Sequence, residues 1–260
     1  MGKAMLGGWL DDGIVAAGVA VVEPAFASGV IPFGDRSEVS AYTSADYLPK
    51  TFRPEVVVFA VKPQQIPNTL PAYVRFVSAN AVFLSIAAGT EIAYFEQQFG
   101  PDAAVVRAMP NLPASVGLGI SVICPNSSVT STQLETCTAL LNAVGEVCVV
   151  EDEGLIDAAT AVSGSGPAYV FLLIECLVKA GEAAGLPTEL AGRLALVSVA
   201  GSGQLALMSD DPPDQLRRDV TSPAGTTEAA LKVLMAENGF EALIIRAVEA
   251  AINRSRELAK

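Results

Sequence analysis

The chain has 260 residues, 51% hydrophobic and 17% charged, with a net charge of −12 and no histidine. That length holds one large domain or two ordinary ones, and the acidic balance argues against a nucleic-acid partner. The absent histidine excludes every mechanism that needs an imidazole base. The four cysteines, at 124, 137, 148 and 176, form no CxxC pair, which argues against a metal site or a disulfide framework and fits a reducing cytoplasm.

Residues 1–10 read as a helix with Met1, Met5, Leu6, Trp9 and Leu10 on one face. In a dinucleotide-binding unit such a helix follows a strand and a GxGxxG turn. Neither precedes it here, and only Gly2 can serve as the last glycine of that fingerprint; an ordinary first helix is the alternative. Lys3, Asp11 and Asp12, with no extended apolar core between them, do not make a secretory signal. Val19–Val22 is a strand ending at Glu23, where an acid can bond a ribose 2′-hydroxyl. A solvent-exposed Glu before Pro24 is the competing reading. No arginine occurs before Arg36 to meet a 2′-phosphate, which favours NADH over NADPH. Asp35–Asp46 is polar and reads as loop.

Further strands are expected at Val56–Val61, Ala81–Ala87, Ala104–Met109, Ile120–Ile123 and Val147–Val150. Their continuous apolar character points to a mostly parallel sheet buried on both faces. Three strand ends stand out: Ala60-Val61-Lys62-Pro63, Ile86-Ala87-Ala88-Gly89 and Arg107-Ala108-Met109-Pro110-Asn111. Ligands of open α/β sheets sit at such carboxyl ends. Asn111 can bond a carboxamide or merely form a turn.

From about Leu155 the strand signal stops. Helices are expected at Pro167–Gly185, Thr188–Met208, Pro213–Val220, Thr227–Asn238 and Phe240–Leu258. The first is apolar nearly all round, which calls for burial on every side. No uninterrupted apolar stretch approaches the roughly 18 residues of a membrane span. The apolar content instead calls for a second subunit or an unusually large core. Two loops open helices, SGSGPAY at Ser163–Tyr169 and TSPAGTT at Thr221–Thr227. Bare amides and small hydroxyls at a helix start can hold a carboxylate without a cation; a glycine-rich connection with a serine cap is the plainer reading.

Together, AVKPQ, SIAAGT, RAMPN, SGSGPAY and VTSPAGTTEAAL make the chain resemble pyrroline-5-carboxylate reductase from about Val56 onward. The resemblance implies an α/β fold: a Rossmann-like domain over 1–152, apparently without its first strand, then an all-helical substrate and dimerisation domain over 153–260. It implies reduction of 1-pyrroline-5-carboxylate to L-proline with NADPH or NADH by a cytoplasmic homodimer or larger homo-oligomer, with no membrane partner. Ala60, Val61, Lys62, Pro63, Ile86, Ala87 and Ala88 match coenzyme-contacting positions. Glu153, Ser165, Ser222, Gly225, Thr226 and Thr227 match positions near the imino acid, with Thr227 the catalytic candidate; as a helix N-cap it would have a structural role only.

Departures from the family pattern carry expectations of their own. Ala224 replaces a glycine and should resist positive φ, Leu112 replaces a threonine, and Glu228 should point away from a bound carboxylate. A missing first strand would leave its neighbours in the sheet unpaired. Two rivals remain. A β-hydroxyacid dehydrogenase would need a catalytic lysine, yet Lys179 is placed to pair with Glu175. A non-catalytic dimerising relative would not bind coenzyme.

Overall fold

The computed structural model describes residues 1–15, 18–28 and 36–258. The chain divides into two compact units, one of Met1–Gly164 with Ile252–Lys260, the other of Ser165–Ala251.

The first unit contains α1 (Gly2–Asp11), β1 (Val19–Val22), β2 (Val39–Tyr42), β3 (Val56–Phe59), α2 (Ile66–Thr69), β4 (Val82–Ser85) and α3 (Ile92–Phe99). It continues with β5 (Val105–Met109), β6 (Gly119–Pro125), α4 (Ser131–Asn142), β7 (Gly145–Val149) and α5 (Leu155–Ala159). Strands β3 to β7 form one sheet in sequence order, parallel except between β5 and β6. Every residue of β4 and β5 is buried, Ser85 and Arg107 included, in keeping with their mostly apolar runs.

Successive side chains leave a strand on opposite faces, so the sheet separates two cores. On one side Phe59, Phe83, Phe95 and Phe99 pack together, with the Phe83 and Phe99 ring centroids 4.4 Å apart. On the other, Met5, Leu6 and Trp9 of α1 meet Val106, Leu140 and Leu141. There the Trp9 indole N–H donates to the Leu140 carbonyl at 2.6 Å, which satisfies the one polar atom that the ring carries inward.

Strands β1 and β2 form a separate parallel pair. Val19 and Val21 nevertheless pack into the α1 core, and Ala20 and Val22 into the phenylalanine core. The pair thus shares both faces of the main sheet without being hydrogen-bonded to it. Among the described residues β1 pairs only with β2, and β3 only with β4. β2 corrects the reading of this stretch as loop, though Asp35 itself lies outside the described residues. Val-Ser-Ala-Tyr at an edge has no apolar run to betray it, because its ladder bonds go only to β1.

The second unit consists of α6 (Gly166–Ala183), α7 (Thr188–Met208), α8 (Pro213–Asp219), α9 (Thr226–Leu234) and most of α10 (Phe240–Leu258), whose last turns from Ile252 count with the first unit. Helices α6 and α7 pack closely: a Cβ on Gly181 would lie 3.2 Å from that of Ala191. Gly185, at φ +95, makes the turn between them. The expected burial of α6 on every side does not occur within one chain. Phe171 is 51% and Leu172 56% exposed, since α7 covers only one face. Two helical segments, Leu155–Ala183 and Thr188–Met208, reach a mean hydropathy of 1.6 and 1.3 and are long and apolar enough to cross a membrane by length and composition. Glu175, Lys179 and Arg193 interrupt the runs, so a search for unbroken apolar stretches passes them over.

Candidate active site

In the first unit the carboxyl ends of parallel strands β3, β4 and β5 lie along one sheet edge. Gly2 opens α1 against this edge: a Cβ there would come within 2.8 Å of the Ala60 Cβ, so only glycine permits the approach. No side chain caps α1, which leaves its first amides open to an anion. Ala60 and Lys62 are exposed, and Val61 and Pro63 half-buried. Ile86 and Ala88 are half-buried around a buried Ala87, whose amide donates to Ser85 Oγ at 3.3 Å. Small side chains at these ends let a ring or ribose come near the backbone, so the edge fits a dinucleotide.

Glu23 lies exposed just beyond β1, one carboxylate oxygen accepting the Ala25 amide at 3.0 Å. Arg36 is engaged elsewhere, 2.9 Å from Asp11. Asn111 is buried and its Oδ1 accepts the Ile120 amide at 2.9 Å. Its carbonyl therefore braces β6, and only Nδ2 is left for a ligand.

Glu153 joins a buried polar cluster that the sequence does not announce. Its Oε1 accepts the Ile92 amide at 2.8 Å, capping α3 from a distant part of the chain, and the Arg107 guanidinium at 2.8 Å. Arg107 projects from β5 and is 4% exposed. Its Nη2 lies 3.8 Å from Asp157, which accepts a 2.7 Å hydrogen bond from Ser255 Oγ.

In the second unit Ser165 precedes α6 without capping it, whereas the neighbouring Ser163 hydroxyl, in a π-helical turn over Thr160–Gly164, is tied to the Ala159 carbonyl at 2.9 Å. The seven-residue motif is therefore mostly helical rather than loop. Around TSPAGTT, Gly225 is the N-cap of α9 and contributes no side chain. Thr227 sits inside the first turn, which removes its reading as a cap. The first backbone bond of that turn runs from Ala229 N–H to Gly225, so the amides of Thr226, Thr227 and Glu228 have no backbone acceptor among the described residues. The exposed Ser222 hydroxyl has no partner among the described residues, and the Ser222 carbonyl accepts the Gly225 amide at 3.0 Å.

Residues 153–258 match the family model for the pyrroline-5-carboxylate reductase dimerisation region. A pyrroline-5-carboxylate reductase of Pseudomonas aeruginosa is 42% identical over all of this chain and 94% of its own length. The chain belongs to the pyrroline-5-carboxylate reductase family. A Coxiella burnetii reductase structure superposes with a TM-score of 0.89 at 34% identity, covering 100% of this chain and 95% of the other. A Plasmodium falciparum pyrroline carboxylate reductase with NADP bound gives 0.75 at 33% identity, over 88% and 86%.

One departure from the reductase pattern resolves differently from expectation. Ala224 does adopt positive φ, at +58, a conformation that costs a non-glycine residue roughly 1–2 kcal/mol. The Glu228 carboxylate accepts the Ala224 amide and pairs with Lys232 at 2.9 Å. Lys232 and that amide hold the Glu228 carboxyl below its ordinary titration range. A depressed folded-state pKa means the contact is complete above the unfolded value and is lost as pH falls through the folded one. The Ala224 amide resonance should thus titrate with a midpoint below that of an unperturbed glutamate in an NMR pH series, and a flat response would remove this contact. The anticipated Glu175–Lys179 pair does not form among the described residues.

Proposed function

We propose that this chain reduces 1-pyrroline-5-carboxylate to L-proline with NADH or NADPH, the last step of proline biosynthesis, as a cytoplasmic homodimer or larger homo-oligomer. The observation that carries this reading is the TSPAGTT turn, with three open amides and an unengaged Thr227 hydroxyl, in a chain similar over its full length to reductases of that name. We assign coenzyme binding to residues 1–152 and imino-acid binding and dimerisation to 153–260.

Gly2, Ala60–Pro63, Ile86–Ala88 and Asn111 hold the dinucleotide, and Glu23 takes its adenosine ribose. When bound, the nicotinamide supplies the hydride for the C=N carbon. The amides of Thr226 and Thr227, at the positive end of α9, take the substrate carboxylate, with Ser222 and Gly225 shaping the turn. We also assign Ser165 and Glu153 to imino-acid binding. Thr227 Oγ1 holds the ring nitrogen or the carboxylate in place while water supplies the proton that completes the amine. No strong acid is required, because positioning accounts for much of the rate. The exposed apolar faces of α6 and α7 are covered by a second copy of the chain.

Titrating the protein with NADH and NADPH, followed by reduction of pyrroline carboxylate against a panel of hydroxyacids, tests the proposal. NADH should bind more tightly than NADPH, because the Glu23 carboxylate would repel a 2′-phosphate. Binding of neither coenzyme would favour a non-catalytic relative. Turnover of a hydroxyacid alone would favour the dehydrogenase.

A further inference from the structure

The last turns of α10 meet the first unit at two places that the reaction as proposed does not use. At the first, Gly89 follows the Ile86–Ala88 strand end at φ +72, and a Cβ there would lie 3.2 Å from the Leu258 Cβ and 3.3 Å from its carbonyl carbon and oxygen. At the second, Ser255 is buried and its hydroxyl donates to Asp157 Oδ1 at 2.7 Å. That same oxygen faces Arg107 Nη2 at 3.8 Å, and Nη2 is buried without a hydrogen bond in the structure. Coulomb attraction across this gap depends on where the Asp157 carboxylate points, and Ser255 fixes that direction. The other guanidinium nitrogen holds Glu153, whose Oε1 also holds the Ile92 amide at the start of α3, just beyond Gly89.

We infer that the C-terminal turn of α10 is a positioning element for the coenzyme. Ser255, acting through Asp157 and Arg107, and Leu258, acting on Gly89, hold two strand ends, Ile86–Gly89 and Met109–Asn111, in the geometry that receives the dinucleotide. The inference rests on the coenzyme assignment made above. None of these side chains need touch coenzyme; each sets the backbone that does. A rigid edge lowers the ordering cost of binding without altering the chemical step.

The test uses the full chain with Ser255→Ala, Ser255→Thr and Asp157→Asn. Loss of a hydrogen bond to a charged group, passed on only in part through Asp157 and Arg107, should speed exchange of the Ile92 amide, and raise KM for NADH, by about fivefold to tenfold. Because the loss concerns coenzyme binding rather than the chemical step, kcat should stay within about twofold of the parent. Ser255→Thr keeps the hydroxyl and should restore both readouts. The inference is overturned if Ser255→Ala leaves Ile92 exchange and the coenzyme KM unchanged. A uniform rise in exchange across the first unit with a lowered Tm also overturns it, since the turn would then be only a stabilising contact. Should the parent bind neither NADH nor NADPH, the coenzyme assignment falls and the positioning role with it. Unchanged Ile92 exchange beside normal NADH binding in the parent defeats the positioning role alone.

Discussion

Replacing Arg107 with methionine is expected to destabilise the first unit by about 3 kcal/mol, at the lower end of the cost of breaking a buried ion pair. Methionine fills much of the same volume, so the loss is one of charge rather than of packing. Glu153 would keep the Ile92 amide and Asp157 the Ser255 hydroxyl, but both would lose the cation that offsets their desolvation. The lower end applies because their side chains remain 27% and 17% exposed, which lets water make good part of the deficit. Trp9, the single tryptophan, is buried in this unit and reports its unfolding in urea directly. Arg107→Lys should fall between the two, since an ammonium cannot serve Glu153 and Asp157 from opposite ends of a planar fork. A shift below about 1 kcal/mol for the methionine variant would mean that the cluster behaves like a surface pair.

Turnover should suffer most from Thr227→Ala. The loop has no lysine or arginine of its own, and the nearest cation on α9, Lys232, is occupied by Glu228. Once the hydroxyl is gone, the backbone amides alone hold the imino acid. Loss of one preorganised donor at a reacting centre lowers kcat/KM by roughly 100-fold. Stability should barely change, because this hydroxyl has no bond within the chain among the described residues. Coenzyme affinity should not move either. Thr227→Ser, which keeps the donor, should recover most of the activity. Wild-type kcat/KM in the alanine variant would remove Thr227 from the mechanism, and a loss matched by a lowered Tm would make its role structural.

Two long helices were legible to the residue, whereas the expected Thr227–Asn238 stops at Leu234 and the expected Pro167–Gly185 runs from Gly166 to Ala183. Thr188–Met208 and Phe240–Leu258 match the observed bounds, with Pro187 directly before the first and Gly239 directly before the second. The buried strands were equally plain from their apolar runs. What stayed hidden is nonlocal. Arg107 sits in the middle of VVRAM, a charge inside an expected buried strand with no partner nearby in the chain; Glu153 and Asp157 lie dozens of residues away, and Ser255 lies further still. No spacing rule links such positions. The burial of α6 was misjudged for a related reason, since composition tells that a surface must be covered but not by which chain. Ala224 was expected to resist positive φ because a residue's own preference was weighed without the carboxylate four positions later that holds its amide.

The return of α10 to the first unit also bears on the order in which the protein can be made. Residues 1–164 leave the ribosome well before Ser255 and Leu258, and at typical rates of synthesis the interval is on the order of several seconds. During that time the sheet can form, but Asp157 has no donor from the C-terminal turn and Gly89 has nothing resting on it. The edge assigned to the coenzyme is therefore the last part of the first unit to be completed. A nascent chain, or one cut short before Ile252, should carry an assembled sheet whose strand ends are still loose.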